Sequence, residues 1–299
     1  MNDSRILVAV SFGPQADAAL KYGRKIAGAM NSMISCFYVV EEPGFITRSF
    51  ISKEMQQKIR RKAEKELASK VHAIYGQDNI SFEITVTTGK VYQKILEKAA
   101  EINATMIVMG RSDAIDLNKE ELGINSSLVM ARSDVPVCSA KNSAQILNNT
   151  ALLPLDLTRS ISLKITKTIE LAQLFQWRIQ LCTILPTGMK GKENPFKNRL
   201  REIQQLMTDH HLPTTIQLVF SDLSVPEEIV SLAEKEKVGQ IIMMTQQEDA
   251  EGEPFIGSTT RGVLHRSGMT VFSLTPDIPT NLYPVKTQSA VIDHPIIVH

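Results

Sequence analysis

The chain has 299 residues, enough for two domains of ordinary size, and 43% hydrophobic with 22% charged residues is the profile of a soluble globular protein. Thirty-three basic residues against thirty-two acidic ones leave a net charge of +1, which excludes a general nucleic-acid or membrane-surface binder driven by bulk charge. No apolar run approaches the ~18 residues needed to cross a bilayer.

The opening MNDSRILVAV lacks a basic segment followed by a long apolar one, so no secretion signal is expected there and a cytoplasmic location is. Cys36, Cys138 and Cys182 sit in apolar runs and form no C-x-x-C pair, which reads as buried free thiols in a reducing compartment.

In chain order, Ile6–Val10 reads as a buried strand, Ser11–Pro14 as a turn, and Ala16–Met30 as an amphipathic helix with Ala19, Leu20, Tyr22, Ile26, Ala27 and Met30 on one face. Met33–Val40 is a second strand. Ser52–Tyr75 is a long charged helix, with Met55, Ile59, Leu67, Val71 and Ile74 expected to face inward. Ile80–Thr87 alternates as a third strand. Tyr92–Ile102 is a helix with Ile95, Leu96, Ala99 and Ala100 expected inward.

Met106–Met109 is an apolar fourth strand that stops at Gly110. A polar loop runs from Arg111 to Leu122 and Gly123 follows. Asn125 and Ser126 are expected to cap a short helix through about Arg132, before a last strand at Asp134–Cys138. A strand, a glycine, a loop, a second glycine and a helix start suit a phosphate, because glycine permits close backbone approach and the helix end offers unpaired N–H groups. The same spacing also serves a plain strand-to-helix connection.

Lys141–Asn149 reads as a linker, although a few of its residues could continue the fifth strand, and the pattern then restarts. Ala151–Asp156 matches the first strand and its end, Ser160–Phe175 the first helix, and Arg178–Leu185 the second strand. Pro195–His210 is the long helix, Thr215–Phe220 the third strand, Pro226–Glu236 the next helix and Gln240–Met244 the fourth strand. Gly257-Ser258-Thr259-Thr260 opens the last helix and Met269–Leu274 is the fifth strand. The offset is 145 residues at Ser11/Asp156 and 134 at Gly123/Gly257, so this is a domain duplication. Alternating strands and helices predict a doubly wound parallel α/β fold for each copy. The expected division is residues 1–140, residues 150–276 and a proline-containing tail, 277–299. Two copies in one chain are expected to pack as a pseudo-dimer, with the fifth strands near each other. The whole chain can also form a homodimer through other surfaces.

ILVAV, the segment TTGKVYQKILEKAAEINATMIVMG, Gly110, Gly123 and Pro136-Val137, in this order and echoed in the second half, resemble the universal stress protein family. The resemblance covers about residues 4–140 and 150–276. It implies a five-stranded parallel sheet of order 3-2-1-4-5 in each half, of the adenine nucleotide alpha hydrolase-like type. Some members of that family bind ATP and others do not. In those that do, an acidic residue ending the first strand contacts the adenosine. A glycine-x-x-glycine, nine residues, then glycine-Ser/Thr motif wraps the phosphates.

Both halves depart from that motif. In the first, Ser11 stands for the acidic residue; Gly110 and Gly123 remain, but Asp113 replaces the second glycine and Ile124 the hydroxyl residue. A carboxylate ~4 Å from a phosphate costs about 4 kcal/mol per like-charge pair at an effective dielectric near 20. In the second, Asp156, Gly257 and Ser258 are in place, but Thr245 and Glu248 replace the first two glycines, and Glu248, Asp249, Glu251 and Glu253 crowd the loop. The cofactor-binding candidates are therefore Asp156, Gly257 and Ser258, with Gly110 and Gly123 in the first half. The ligand would be ATP, ADP or AMP, in the second half. The competing reading is that Asp156 caps a turn and Ser258 N-caps its helix.

Other chemistry has little support. Gly89-Lys90 and Gly191-Lys192 lack the rest of a P-loop, no G-x-S-x-G occurs, and His210-His211 point apart on a helix end. No metal site, catalytic residue or nucleic-acid partner is assigned. The sequence reads as a non-catalytic stress-response protein acting through unknown protein partners, or alternatively as an adenine-nucleotide-binding regulator using its second half.

Overall fold

The computed structural model describes residues 4–13, 15–42, 52–76, 80–111, 124–141, 149–245, 255–275 and 296. They form two compact units, the first ending at Lys141 and the second beginning at Asn149.

The first unit runs β1 (Arg5–Ala9), α1 (Ala16–Met30), β2 (Met33–Glu41), α2 (Lys53–Tyr75), β3 (Phe82–Gly89), α3 (Val91–Glu101), β4 (Ala104–Arg111), α4 (Ile124–Arg132) and β5 (Val137–Lys141). Its strands are all parallel, in the order β3-β2-β1-β4-β5. Ile6, Leu7 and Val8 are fully buried, as a strand covered on both faces must be.

α1 begins and ends where its periodicity predicts. It stops at Asn31, which adopts the left-handed conformation that asparagine tolerates. α2 starts behind Ser52, whose hydroxyl accepts the Met55 N–H at 3.1 Å. Its later turns are anchored by Leu67 and Val71, and by the Tyr75 hydroxyl donating to the Leu20 carbonyl at 2.8 Å.

Four sequence expectations fail here. Met55 and Ile59 are 51% and 40% exposed, because the first turns of α2 carry the right period but lie against no described cover. Ala100 is exposed as well, so only Ile95 and Ala99 of α3 are fully inward. Asn125 does not cap α4 but lies inside it. Its side-chain oxygen instead accepts the Tyr92 N–H at 3.3 Å and so serves the start of α3. The last strand also starts later than expected, at Val137; it runs on to Lys141, the continuation into the linker that the sequence left open.

The second unit runs β6 (Thr150–Pro154), α5 (Ser162–Phe175), β7 (Arg178–Leu185), a 3-10 turn at Thr187–Met189, α6 (Asn194–Asp209), β8 (Thr214–Phe220), α7 (Val225–Lys235), β9 (Gln240–Met244), α8 (Ser258–Arg266) and β10 (Thr270–Leu274). Its order, β10-β9-β6-β7-β8, is the same topology, again all parallel. α7 opens with Pro226 in its first turn, and the Glu227 carboxylate accepts from the Ser224 N–H at 3.2 Å and hydroxyl at 2.6 Å. α7 and α8 approach closely because Gly262 has no side chain: a Cβ there would lie 2.7 Å from Pro226.

One difference between the units bears on function. β1 pairs with β4 along its whole length, to Ala9 opposite Met109. β6 pairs with β9 only at Ala151–Gln240 and Leu152–Ile241. β6 ends in Pro154, which has no N–H to offer, so the ladder toward β9 stops and the strand ends separate.

Among the described residues no helix is long and apolar enough to cross a membrane. All three cysteines are buried free thiols. Burial pushes Cys36 and Cys182 up to about 12, and Cys138 higher still. Below pH ~9 these thiols are protonated in both folded and unfolded chains and leave stability unchanged. Above it the unfolded chain releases protons that the folded chain keeps, so stability falls by about 1.4 kcal/mol per pH unit per thiol, until the folded Cys36 and Cys182 ionise near 12. Denaturant titrations between pH 8 and 11 will show that decline. Iodoacetamide at pH 8 will label the three thiols only after unfolding.

Candidate functional site

The strand ends that separate at Pro154 border a cavity of about 630 Å³ in the second unit. The loop after β6 contributes Asp156 and Thr158, α5 contributes Lys164, and β7 contributes Cys182, Thr183 and Ile184. α7 contributes Val225 and Ile229, the end of β9 Met244 and Thr245, and the start of α8 Gly257 to Thr260. The walls are mainly aliphatic and sulfur-bearing, with the polar groups gathered at the strand and helix ends.

Each polar group has a local cause. Asp156 is exposed, and its Oδ1 accepts the Thr158 N–H at 3.0 Å and hydroxyl at 2.6 Å, which folds the loop into an Asx turn. The Thr183 hydroxyl donates to the Leu155 carbonyl at 3.1 Å. Lys164 lies on the inner face of α5 and is 8% exposed; its Nζ donates to the Pro154 carbonyl. Burial raises the neighbouring Cys182 thiol, the Lys164 charge opposes that, and the Glu228 charge adds to it.

α8 starts at Ser258, with Gly257 and not Ser258 in the N-cap position. Gly257 is the N-cap, with φ −59° and ψ 152°, and its N–H donates to the Thr245 carbonyl at 2.6 Å. Ser258 is the first helical residue, so it does not N-cap α8. The first intrahelical bond is Arg261 N–H to the Gly257 carbonyl at 2.9 Å. The preceding N–H groups have no intrahelical acceptor and stand at the positive end of the helix dipole, beside the cavity. Thr245 is buried, and its hydroxyl donates to the Leu274 carbonyl at 3.2 Å.

Asp156, Gly257 and Ser258, predicted from the sequence, therefore border one cavity. Gly110 belongs to the other unit, where it serves packing. A Cβ at Gly110 would lie 2.1 Å from the Gln15 carbonyl, so the turn before α1 rests directly on the end of β4. Gly123, Asp113 and the acidic segment from Glu248 to Glu253 lie outside the described residues. The sequence reading missed Lys164 and Thr183. The signal for Lys164 was present, since it stands 145 residues after Ala19, a fully buried helix position in the first unit.

Residues 4–140 match the universal stress protein family. Sequence comparison with curated proteins finds no match. Among solved structures, a universal stress protein from Archaeoglobus fulgidus DSM 4304 is 17% identical with a TM-score of 0.70, over 91% of this chain and 96% of that one. A protein of unknown function from Pseudomonas aeruginosa PAO1 is 17% identical with a TM-score of 0.63, over 91% of this chain and 92% of that one. At such identity the likeness is one of fold. The first unit carries a universal stress protein domain, and the second repeats its fold.

The two glycines should respond differently to an added methyl group. Gly110→Ala drives a Cβ into a backbone carbonyl and is expected to cost about 2 kcal/mol in a denaturant titration. Gly257→Ala meets only the Thr245 carbonyl at 3.4 Å, in a backbone conformation open to any residue, and should change stability by less than about 0.5 kcal/mol.

Proposed function

We propose that this chain, whose first unit carries a universal stress protein domain, is a non-catalytic cytoplasmic stress-response protein that binds an adenine nucleotide in its second unit and signals through protein partners. The observation that carries this reading is the convergence of Asp156, Gly257 and Ser258 on one cavity. Its aliphatic walls suit a purine. The Asp156 carboxylate at the rim suits ribose hydroxyls, which donate hydrogen bonds. The start of α8 suits a phosphate.

The chemistry of the residues favours binding over turnover. Burial holds the Cys182 thiol protonated, and the Asp156 carboxylate already holds its own turn together. Gly257 adds a second line of support, because nothing in its backbone angles demands glycine and a methyl group would meet little. A glycine that the fold does not require fits a place where a ligand approaches the backbone closely. In the first unit Ser11 replaces the carboxylate and Gly110 is taken up by Gln15, which supports the second unit as the place for the nucleotide.

The test is nucleotide carry-over and titration on the full chain. The purified protein is denatured and its supernatant chromatographed; fresh protein is titrated with ATP, ADP and AMP, with and without magnesium. Saturable binding is expected, weakened about tenfold in Asp156→Ala, whose fold should survive the loss of one exposed turn. Absence of both retained nucleotide and saturable binding would overturn the proposal.

A further inference from the structure

The geometry points to Ile296 as a positioning residue for the cavity. Its backbone N–H fixes the turn that presents Asp156 to the sugar, and so sets a preference for a ribonucleotide over one that lacks the sugar hydroxyls. This deepens the nucleotide reading and rests on it.

The first ground is where the contact falls. The Ile296 N–H donates to the Leu157 carbonyl at 2.9 Å, from a place far along the chain. Leu157 stands between Asp156 and Thr158, and all three border the cavity.

The second ground is the bonding of the turn itself. The Thr183 hydroxyl donates to the Leu155 carbonyl at 3.1 Å, and the Arg159 N–H to the Asp156 carbonyl at 3.2 Å. Both donors come from the loop or from the strand beside it. Leu157 is 2% exposed, and the donor for its carbonyl is Ile296. A buried carbonyl without a donor costs free energy comparable to a lost hydrogen bond, so the outer half of the turn depends on that contact. Holding Leu157 also holds Asp156, because the Asp156 Oδ1 accepts both the N–H and the hydroxyl of the next residue, Thr158. Among the described residues Oδ2 has no hydrogen-bond partner. A carboxylate oxygen has two lone pairs, so Oδ2 suits two neighbouring sugar hydroxyls.

The third ground is the comparison between the units. Phe12 matches Leu157, as Ser11 matches Asp156. There the turn is held by its own side chain, with the Phe12 and Tyr38 ring centroids 4.2 Å apart. The unit that keeps the carboxylate is the one whose turn is tied by a distant backbone donor. Such a donor survives any substitution of its side chain except proline.

The experiment titrates full-length wild type, Asp156→Ala, Ile296→Pro and Ile296→Val with AMP and with dideoxy-AMP, which lacks both sugar hydroxyls. Wild type is expected to bind AMP about tenfold more tightly than dideoxy-AMP. Asp156→Ala should bring the two within about twofold of each other. Ile296→Pro, which removes the N–H, should cut the preference to about threefold or less by weakening AMP alone. The conservative variant Ile296→Val keeps the N–H and should keep the preference; its loss there overturns the assignment to the N–H. A full preference in Ile296→Pro overturns the inference and leaves the nucleotide reading standing. So does an equal weakening of both compounds, which a merely structural role would give. Wild type that binds the two equally overturns the inference, and wild type that binds neither overturns the nucleotide reading with it. Should Ile296→Pro fail to fold, hydrogen exchange of the Ile296 amide in wild type decides. Slower exchange under saturating AMP than under saturating dideoxy-AMP is expected, and equal rates overturn the inference.

Discussion

Everything at the site hangs from the position of one strand. β6 lies between β7 and β9, just as β1 lies between β2 and β4. From the central strand the chain winds one way through β7 and β8, and later the other way from β9 to β10. Right-handed crossovers moving in opposite directions place their helices on opposite faces of the sheet. α5 and α8 therefore part over the carboxyl ends of the strands, and a crevice between them is a consequence of topology. Pro154 enlarges it by ending the ladder to β9 early. The cavity residues Asp156, Thr183, Thr245 and Gly257 all stand at or just beyond these strand ends.

The first unit obeys the same topology and uses it differently. There β1 pairs with β4 to its last residue, and the turn before α1 settles onto Gly110 so closely that only a hydrogen fits. The matching residue in the second unit, Thr245, turns its hydroxyl to β10 instead. Ser11 against Asp156, Ala9 against Pro154 and Ala19 against Lys164 are changes at matching positions. In each, the first unit keeps the residue that suits a closed core, and the second keeps the one that suits a polar opening. Two copies of one topology thus differ in how tightly they close over the ends of their central strands.

The sequence made the scaffold readable where local and tertiary demands agree. α1 at Ala16–Met30 and β9 at Gln240–Met244 fall where periodicity and apolar run length put them, because those patterns are the burial that forms them. The misreadings share a different cause. Periodicity shows which face of α2 is apolar but not how far its neighbours extend, so Met55 and Ile59 are exposed. Capping residues are read locally, yet Asn125 reaches across space to the start of α3. A glycine announces close approach without naming the partner, and at Gly110 the partner is a backbone carbonyl of the chain itself. Asp156, Gly257 and Ser258 were legible as site candidates only through order and resemblance. Their meeting at one cavity needed the fold.

Lys164 was hidden for a physical reason of its own. On a helix, a lysine among apolar residues passes for a surface residue or a snorkelling one, and only its match to Ala19, 145 residues earlier, marks it as a buried position. Its position acquires meaning only beside Pro154. A proline at the end of a central strand leaves that strand's edge short of ladder partners, and an unpaired buried carbonyl is costly. The Lys164 ammonium answers that carbonyl from the facing helix. A neutral donor such as serine or threonine would not reach so far from a helix, whereas the long lysine stem packs along apolar surface and carries its donors to the strand end. Lys164 thereby ties one wall of the cavity to the strand end that opens it, so the shape of the opening depends on a contact between α5 and β6 as well as on the sheet.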